Sequence, residues 1–332
     1  AVSLPELHRI RSILEQERLF VVVSDAFLSE TAHLADVVLP AALWGEKVGT
    51  FTNTDRTVHL SEQAVEPPGK ARPDLDIFLD FAQRLDLRDK DGQPLLKWST
   101  PEQCFEAFKA MTKGRPCDYS GLTYDRLRGG SGIPWPCTGD APDGTERLYT
   151  DYEFPTGPDV CEDYGHELQS GATFTQTEFK ALNPQGRAIL KAADWTEPHE
   201  WAREDYPFTL ATGRTVYHFH TRTKTGRAPE LQAAAPDAWA ELNPADAERL
   251  GIAEGDRVRV ESPRGMVEVP ARLSGPREGV VFVPFHYGYW DRGDAGPDGH
   301  PRAANELTMT IWDPVSKQPI FKTSAVRVEK AG

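Results

Sequence analysis

The sequence predicts an open α/β sheet over residues 1–95, an irregular stretch over 96–204 and a small β-barrel over 205–332. Three observations carry this. Short apolar runs near the start, Leu19 to Val23 and Val37-Val38-Leu39, read as strands covered on both faces, as in a sheet flanked by helices. Between 90 and 205 the periodicity fails, and Gly and Pro punctuate the chain. After Tyr206 several segments alternate apolar and polar residues at period two, with turns between them.

Taken in order, residues 3–17 read as a helix. Ser3 and Glu6 make a capping-box pair, Pro5 stands near the first turn, and Leu7, Ile10 and Leu14 form one apolar stripe. The first apolar run ends abruptly at Ser24-Asp25, and the second is closed by Pro40. Leu75 to Leu85 reads as a helix with Asp74 as its N-cap. In open α/β sheets ligands sit at the carboxyl ends of strands, which here points to Ser24 and Asp25.

The middle segment carries GRPCDYSG, RGGSGIPWPCTGDAPDG and FPTGPD. Its aromatic content argues against a disordered linker, so it reads as an extended layer packed on something larger. Beyond it, Pro207-Phe208-Thr209-Leu210 is a strand, and Asn243-Pro244 opens a short helix that stops at Gly251. DRVRVES, a turn at Pro263-Arg264-Gly265, MVEVPARL, GVVFVPF and SAVRVEK supply further strands of a mostly antiparallel barrel.

Charge and composition narrow the function. The 332 residues hold 37 Lys and Arg against 51 Asp and Glu, a net charge of −14. A surface this acidic repels phosphate backbones and anionic lipid, so general nucleic-acid and membrane-surface binding are disfavoured. No apolar run approaches the ~20 residues that span a bilayer. Cys104, Cys117, Cys137 and Cys161 form no CxxC pair, and such sparse cysteines suit a reducing, cytoplasmic compartment. The opening AVSLPELHRI has no basic start and no apolar run, which reads as no secretory signal; it also lacks Met, so the chain need not begin where its gene begins. There is no GxGxxG, P-loop or GxSxG, and His166-Glu167 and His199-Glu200 lack the second His of a zinc motif.

The most anomalous segment runs from Thr212 to Arg227. It holds four basic residues, two His, five Thr and no acid within a strongly acidic chain. Forked cationic donors and hydroxyls suit a phosphate or pyrophosphate, and glycines let backbone approach it. A solvated basic loop is the plain alternative. Its place directly after a strand, with Tyr217 and Phe219 interleaved, favours the anion site. Lys47 precedes a Gly/Thr/Asn loop able to offer donors to a heterocycle, though most such loops are turns. Asp25 and Asp74 could each accept from a guanine or ribose edge. Phe285-His286-Tyr287-Gly288-Tyr289-Trp290 reads as core or as a loop mouth.

In their order along the chain, these segments resemble the carboxyl-terminal half of the large subunit of molybdenum enzymes of the dimethyl sulfoxide reductase family. The front, VVVSDAFLSETAHLADVVLPAALWGEKVGTFTNTDR, is similar to the third domain of nitrate reductases and formate dehydrogenases. The back, from ATGRTVYHFHTRTKTGRAPEL through PFHYGYWD, AANELT and WDPVSKQPIFK, resembles their last domain, a six-stranded double-psi barrel. The resemblance implies a bis(molybdopterin guanine dinucleotide) molybdenum cofactor. It carries cofactor contacts to Ser24, Asp25, Lys47 and Asp74, to Thr212, Gly213, Arg214, Thr215, His218, His220 and Thr221, and to Phe285, Asn305 and Lys322. Where the family has Gly and Met, this chain has Arg222 and Lys224, which are expected to add positive charge beside a pyrophosphate.

No catalytic residue and no metal ligand is assigned within this chain. The resemblance puts the molybdenum ligand and a [4Fe-4S] cluster in an N-terminal remainder of the same enzyme, which would be a partner together with an electron-donor protein. The activity it implies is nitrate reduction of the assimilatory kind. Formate oxidation is the nearest alternative, and a non-catalytic nucleotide- or partner-binding module the alternative outside the class.

Overall fold

The computed structural model describes residues 2–150, 194–292 and 301–332, with 167, 170–175, 177, 178 and 192 between the first two stretches. FPTGPD, Cys161 and His166 lie outside the described residues.

Helix α1 spans Leu7–Leu14, shorter than the sequence predicts. The capping box does not form. Glu6 stands at the N-cap with φ +47° and no side-chain cap bond, because the residues before the helix are tied elsewhere. The Glu6 N–H donates to the Thr308 carbonyl at 3.2 Å, and the Val2 carbonyl accepts from Asn305 Nδ2 at 2.9 Å. Strand β1 (Val22–Asp25), helix α2 (Glu30–His33) and strand β2 (Val37–Pro40) follow. The two strands pair in parallel, Val22 opposite Val37 through Asp25 opposite Pro40. Parallel pairing accords with an α/β grammar, but burial on both faces is not found: Phe20 is 74% exposed and Val22 50%. A continuous apolar run signals that a strand wants cover, and among the described residues these faces receive little of it.

Strands β3 (Gly49–Thr52) and β4 (Thr57–Ser61) form an antiparallel hairpin, and α3 covers Asp74–Arg84. Asp74 does not cap α3; the N-cap is Pro73, and Asp74 is the first helical residue, its carboxylate turned to Lys47. The stretch from 96 is less irregular than expected. Helix α4 (Pro101–Thr112) starts at Thr100, whose hydroxyl accepts from the Gln103 N–H at 3.2 Å, with Pro101 in the first turn. Helix α5 (Tyr124–Leu127) and strand β5 (Ile133–Pro134) follow, β5 extending the hairpin sheet through β4. Val58, Phe105, Leu122, Tyr124 and Cys137 close a second small core between these pieces. The segment is thus a layer packed on β3–β4.

The last third closes into a barrel. Its strands are β6 (Phe208–Gly213), β7 (Ala240–Leu242), β8 (Arg257–Ser262), β9 (Gly265–Leu273), β10 (Val280–Pro284) and β11 (Ser324–Lys330). Two helices intervene, α6 (Pro229–Ala234) before β7 and α7 (Pro244–Leu250) after it. Around the ring the order is β10-β6-β11-β8-β9-β7. The β6/β10 and β7/β9 pairs are parallel and the remaining neighbours antiparallel, so the barrel is mixed. Period-two alternation sends Leu210, Val258, Val260, Val267, Val281, Val283 and Val326 inward, each without accessible surface. At about 1.5–3 kcal/mol per buried aliphatic side chain, this core dominates the domain's stability.

The front segment docks on the barrel through charged contacts. Arg11 bonds Glu306 at 2.7 Å, and Tyr289 donates its hydroxyl to the same carboxylate at 3.1 Å. Glu30 accepts the backbone N–H groups of Tyr289 and Trp290 at 2.7 and 3.1 Å. The approach is so close that a Cβ on Gly288 would lie 2.0 Å from Glu30 Oε1, so any side chain here would displace the Glu30 carboxylate. Among the described residues no helix is long and apolar enough to cross a membrane.

Candidate functional site

Strand β6 ends at Gly213, and its next residues leave the barrel as a loop; β10 ends beside it, where the Phe285 N–H donates to the Gly213 carbonyl at 3.2 Å. The tail returns at the same edge. The Thr212 hydroxyl donates to the Phe321 carbonyl at 2.9 Å, and Lys322 Nζ donates to the Thr212 carbonyl. These three strand ends frame a cleft of about 230 Å³ lined by Ser3, Thr212, Arg214, His220, Phe285, Asn305, Gln318, Phe321 and Lys322. Two cations, amides, hydroxyls and two phenyl rings face it. Among the described residues its lining holds no carboxylate.

Six residues expected from the sequence thus meet here: Thr212, Arg214, His220, Phe285, Asn305 and Lys322. The others lie elsewhere. Lys47 and Asp74 are joined by an ion pair on the wall of a larger groove of about 500 Å³ between β3 and α4. Ser24 and Asp25 stand at the end of β1, as the sequence predicts, and the Asp25 carboxylate accepts from the Phe27 N–H at 3.1 Å and the Ser29 hydroxyl at 3.1 Å. Thr221 bonds Thr223 at 3.1 Å. His218 is buried with both ring nitrogens engaged, Nε2 to the Ala235 carbonyl at 2.7 Å and Nδ1 to the Thr225 hydroxyl at 3.0 Å. Burial holds its pKa below the ordinary histidine value. Thr215 donates its N–H to His286 Nε2 at 2.7 Å, while its own hydroxyl is buried without a partner.

Two expectations need correcting. Arg222 does not face a pyrophosphate. Its side chain is fully buried, bonded to Asp291 at 2.7 Å and Gln232 at 3.0 Å, and its guanidinium lies 4.8 Å from the Tyr287 ring centre. A buried guanidinium needs a carboxylate partner, and Asp291 supplies it. Nor do the glycines open the backbone to a ligand. A Cβ on Gly213 would meet the Phe282 ring at 2.6 Å, and one on Gly226 the Trp290 ring at 2.9 Å, so both glycines serve internal packing.

Behind the cleft runs a buried ion network. Arg302 bonds Asp237 at 2.9 Å and also reaches Asp291, which pairs with Arg222; Arg292 reaches Asp237 as well. Burial alone would raise both carboxyls, but the guanidinium bonds outweigh it and hold Asp237 and Asp291 below the usual carboxylate range. Burial pushes the Tyr287 hydroxyl up to about 12. Glu200 serves structure: it accepts from Arg264 at 2.8 Å and from the Ala325 N–H at 2.9 Å. Among the described residues no cluster of three His, Cys, Asp or Glu could hold a metal ion.

The residues that sequence reasoning passed over are Ser3, Gln318, Phe321 and His286. The last three stand in SKQPIFK and FHYGYW, the signal available. Their spatial partners are distant in sequence, which hid their roles.

The cleft fits one portion of an anionic, ring-bearing ligand. Arg214 and Lys322 match phosphate, Phe285 and Phe321 offer flat apolar faces, and the orphaned Thr215 hydroxyl stands nearby. At about 230 Å³ it is smaller than the ~300–1,000 Å³ of a whole-ligand pocket, so the remainder of a dinucleotide would extend beyond it.

Comparison with known proteins agrees with this layout. The family model described as Molydopterin dinucleotide binding domain matches residues 208–325, and Molybdopterin oxidoreductase matches 1–84. A nitrate reductase of Symbiobacterium thermophilum is 38% identical, covering 99% of this chain and 40% of that protein. The F420-dependent formate dehydrogenase 1 subunit alpha of Methanococcus maripaludis is 35% identical, covering 99% and 41%. The assimilatory nitrate reductase catalytic subunit of Bacillus subtilis is 33% identical, covering 99% and 40%. The chain therefore spans about two fifths of the length of these relatives. In fold it is similar to acetylene hydratase from Pelobacter acetylenicus, with a TM-score of 0.62 and 21% identity, covering 100% of this chain and 43% of that one. Since the two family models fall on the α/β front and on the barrel that frames the cleft, this chain belongs to the molybdopterin oxidoreductases.

Proposed function

We propose that this chain is the dinucleotide-holding part of a molybdenum enzyme that reduces nitrate to nitrite. The observation that carries the cofactor half is the acid-free cleft bearing Arg214 and Lys322, set in a chain of net charge −14. In such a chain a cluster of cations without carboxylates is selected for an anion. By this reading Arg214 and His220 bind phosphate oxygens, Asn305 and Gln318 hydrogen-bond a heterocycle edge, and Phe285 and Phe321 shield it from water. The guanine form of the dinucleotide, present in two copies, is part of the proposal, as is a double-psi path for the barrel, which its two parallel strand pairs favour.

Lys47, Asp74, Ser24 and Asp25 are assigned to a second portion of the same cofactor, along the larger groove and the end of β1. Bound molybdenum would supply two-electron oxygen-atom transfer, with nitrate, two protons and two electrons giving nitrite and water. The protein ligand to the metal, a [4Fe-4S] cluster and docking for an electron-donor protein belong to the remaining length of such an enzyme, and a cytoplasmic setting suits it.

The choice of nitrate follows the 38% identity to a nitrate reductase, set against 37% and 35% to two formate dehydrogenase subunits, and the experiment below decides between the two substrates. The test is nitrite formation by the complete, molybdenum-loaded protein with reduced viologen as donor. Nitrite appearing in step with dye oxidation supports the proposal. Loaded protein that yields none, yet oxidises formate, transfers the assignment to formate. The 332-residue chain alone is expected to give no turnover, and turnover would overturn the division of labour.

A further inference from the structure

The loop bringing Arg214 and His220 to the cleft leaves β6 at Gly213 and turns Val216, Tyr217 and Phe219 outward; Val216 is 88% exposed. The loop is tied inward at its middle by buried His218, which bonds the Thr225 hydroxyl and the Ala235 carbonyl. It is held at both ends by one side chain. His286, fully buried just past β10, accepts the Thr215 N–H at Nε2, 2.7 Å away, and its Nδ1 lies 2.5 Å from the His220 carbonyl. An amide N–H can only donate, so Nε2 carries the lone pair and Nδ1 carries the proton. The ring is therefore neutral. The backbone it restrains is costly: His220 has φ +45°, left-handed for a residue with a Cβ.

We propose that His286 is the positioning residue of the cleft, its neutral ring latching Thr215 and His220 so that Arg214 and His220 present to the ligand, and its protonation opening the latch. An imidazolium would set an N–H against the Thr215 N–H, two donors facing each other, and the bond would be lost. The charged and titratable groups that face the ring are Arg214, His218 and Arg222 from the loop, with Tyr287 on its own segment. Burial and these cationic neighbours favour the neutral form, against the His220 carbonyl, which favours the charged one; the net is a pKa below the ordinary 6.5. The latch closes above that range and opens as pH falls through it.

The link to ligand binding rests on the cofactor reading above, whereas the latch itself can be read without ligand. Hydrogen exchange at the Thr215 amide in the complete protein tests it, with protection expressed relative to the intrinsic rate at each pH. His286→Leu is expected to lower protection about five- to tenfold near pH 8, the scale of one lost hydrogen bond, while barrel amides such as Val258 and Val326 stay protected. His286→Gln offers an oxygen to the Thr215 N–H, so it should keep protection and remove its dependence on pH. Wild-type protection should be constant above about pH 6.5, the ordinary histidine value, and fall only as pH drops below it.

Unchanged Thr215 protection in His286→Leu would overturn the latch. If that variant fails to fold, wild type and His286→Gln decide: equal pH dependence in the two overturns it. Pterin retained on desalting, read by fluorescence after oxidation, is expected to follow the same pH trend in wild type and not in His286→Gln. Thr215 protection that tracks His286 in a protein retaining no pterin at any pH would defeat the cofactor reading and leave the latch standing.

Discussion

Arg214 and Arg222 belong to one basic segment, yet the fold gives them opposite tasks. Arg214 is exposed at the rim of the cleft, where a guanidinium costs little and can bind phosphate in a bidentate fork. Arg222 is fully buried, 69 positions from the Asp291 that neutralises it, and braces the loop from beneath. Arg214→Ala is therefore expected to weaken GDP binding by about ten- to a hundredfold, the loss of a charge-assisted hydrogen bond. Its unfolding free energy should stay within about 0.5 kcal/mol of wild type, as for other exposed sites. Equilibrium titration and denaturant melts read the two effects separately, and unchanged affinity would count against the cofactor assignment.

Among the elements, those marked by local chemistry were the ones legible beforehand. Helix α7 begins where Asn243 accepts the Ala245 N–H at 2.9 Å, and stops at Gly251, which stands at φ +66°. Both signals lie within a few residues of what they control. A Cβ on Gly251 would touch nothing, so Gly251→Ala isolates the backbone cost of a left-handed cap, about 1–2 kcal/mol in chemical denaturation. A change near zero would mean that α7 ends by tertiary restraint instead.

Other elements escaped because their signal was weak or overridden. Strand β7 has only three residues, too few to display a period. Helix α4 lay hidden among Gly/Pro-rich neighbours, although Thr100-Pro101 marks its start. At α1 the capping pair Ser3 and Glu6 lost to bonds between the chain's opening and the 305–308 turn.

For the whole molecule, buried charge sets the response to acid. Asp237, Asp291 and Glu200 have carboxyls held below their ordinary values by arginine partners and backbone donors, in spite of burial. The unfolded chain protonates them near their ordinary values of about 4, above where the folded chain does. Between those two ranges the unfolded state binds more protons, so stability rises with pH there. Their contribution is complete above the unfolded values and is lost as pH falls through the folded ones. The barrel's melting temperature should accordingly drop below about pH 4, and less steeply in Asp291→Asn. A curve of the same steepness in both proteins would show that this network does not set acid stability.

The alternation of the barrel strands, the caps of α7 and the concentration of cations and hydroxyls after β6 can all be read from the linear chain. Each is encoded by residues adjacent along the chain, where propensity and period act directly. Which cations reach the cleft was set by folding. It turned Arg222 inward to Asp291, closed Lys47 onto Asp74, and set His286 between Thr215 and His220. The reason is physical: a charged or polar side chain takes the direction in which its partner compensates desolvation, and those partners are brought together only by folding.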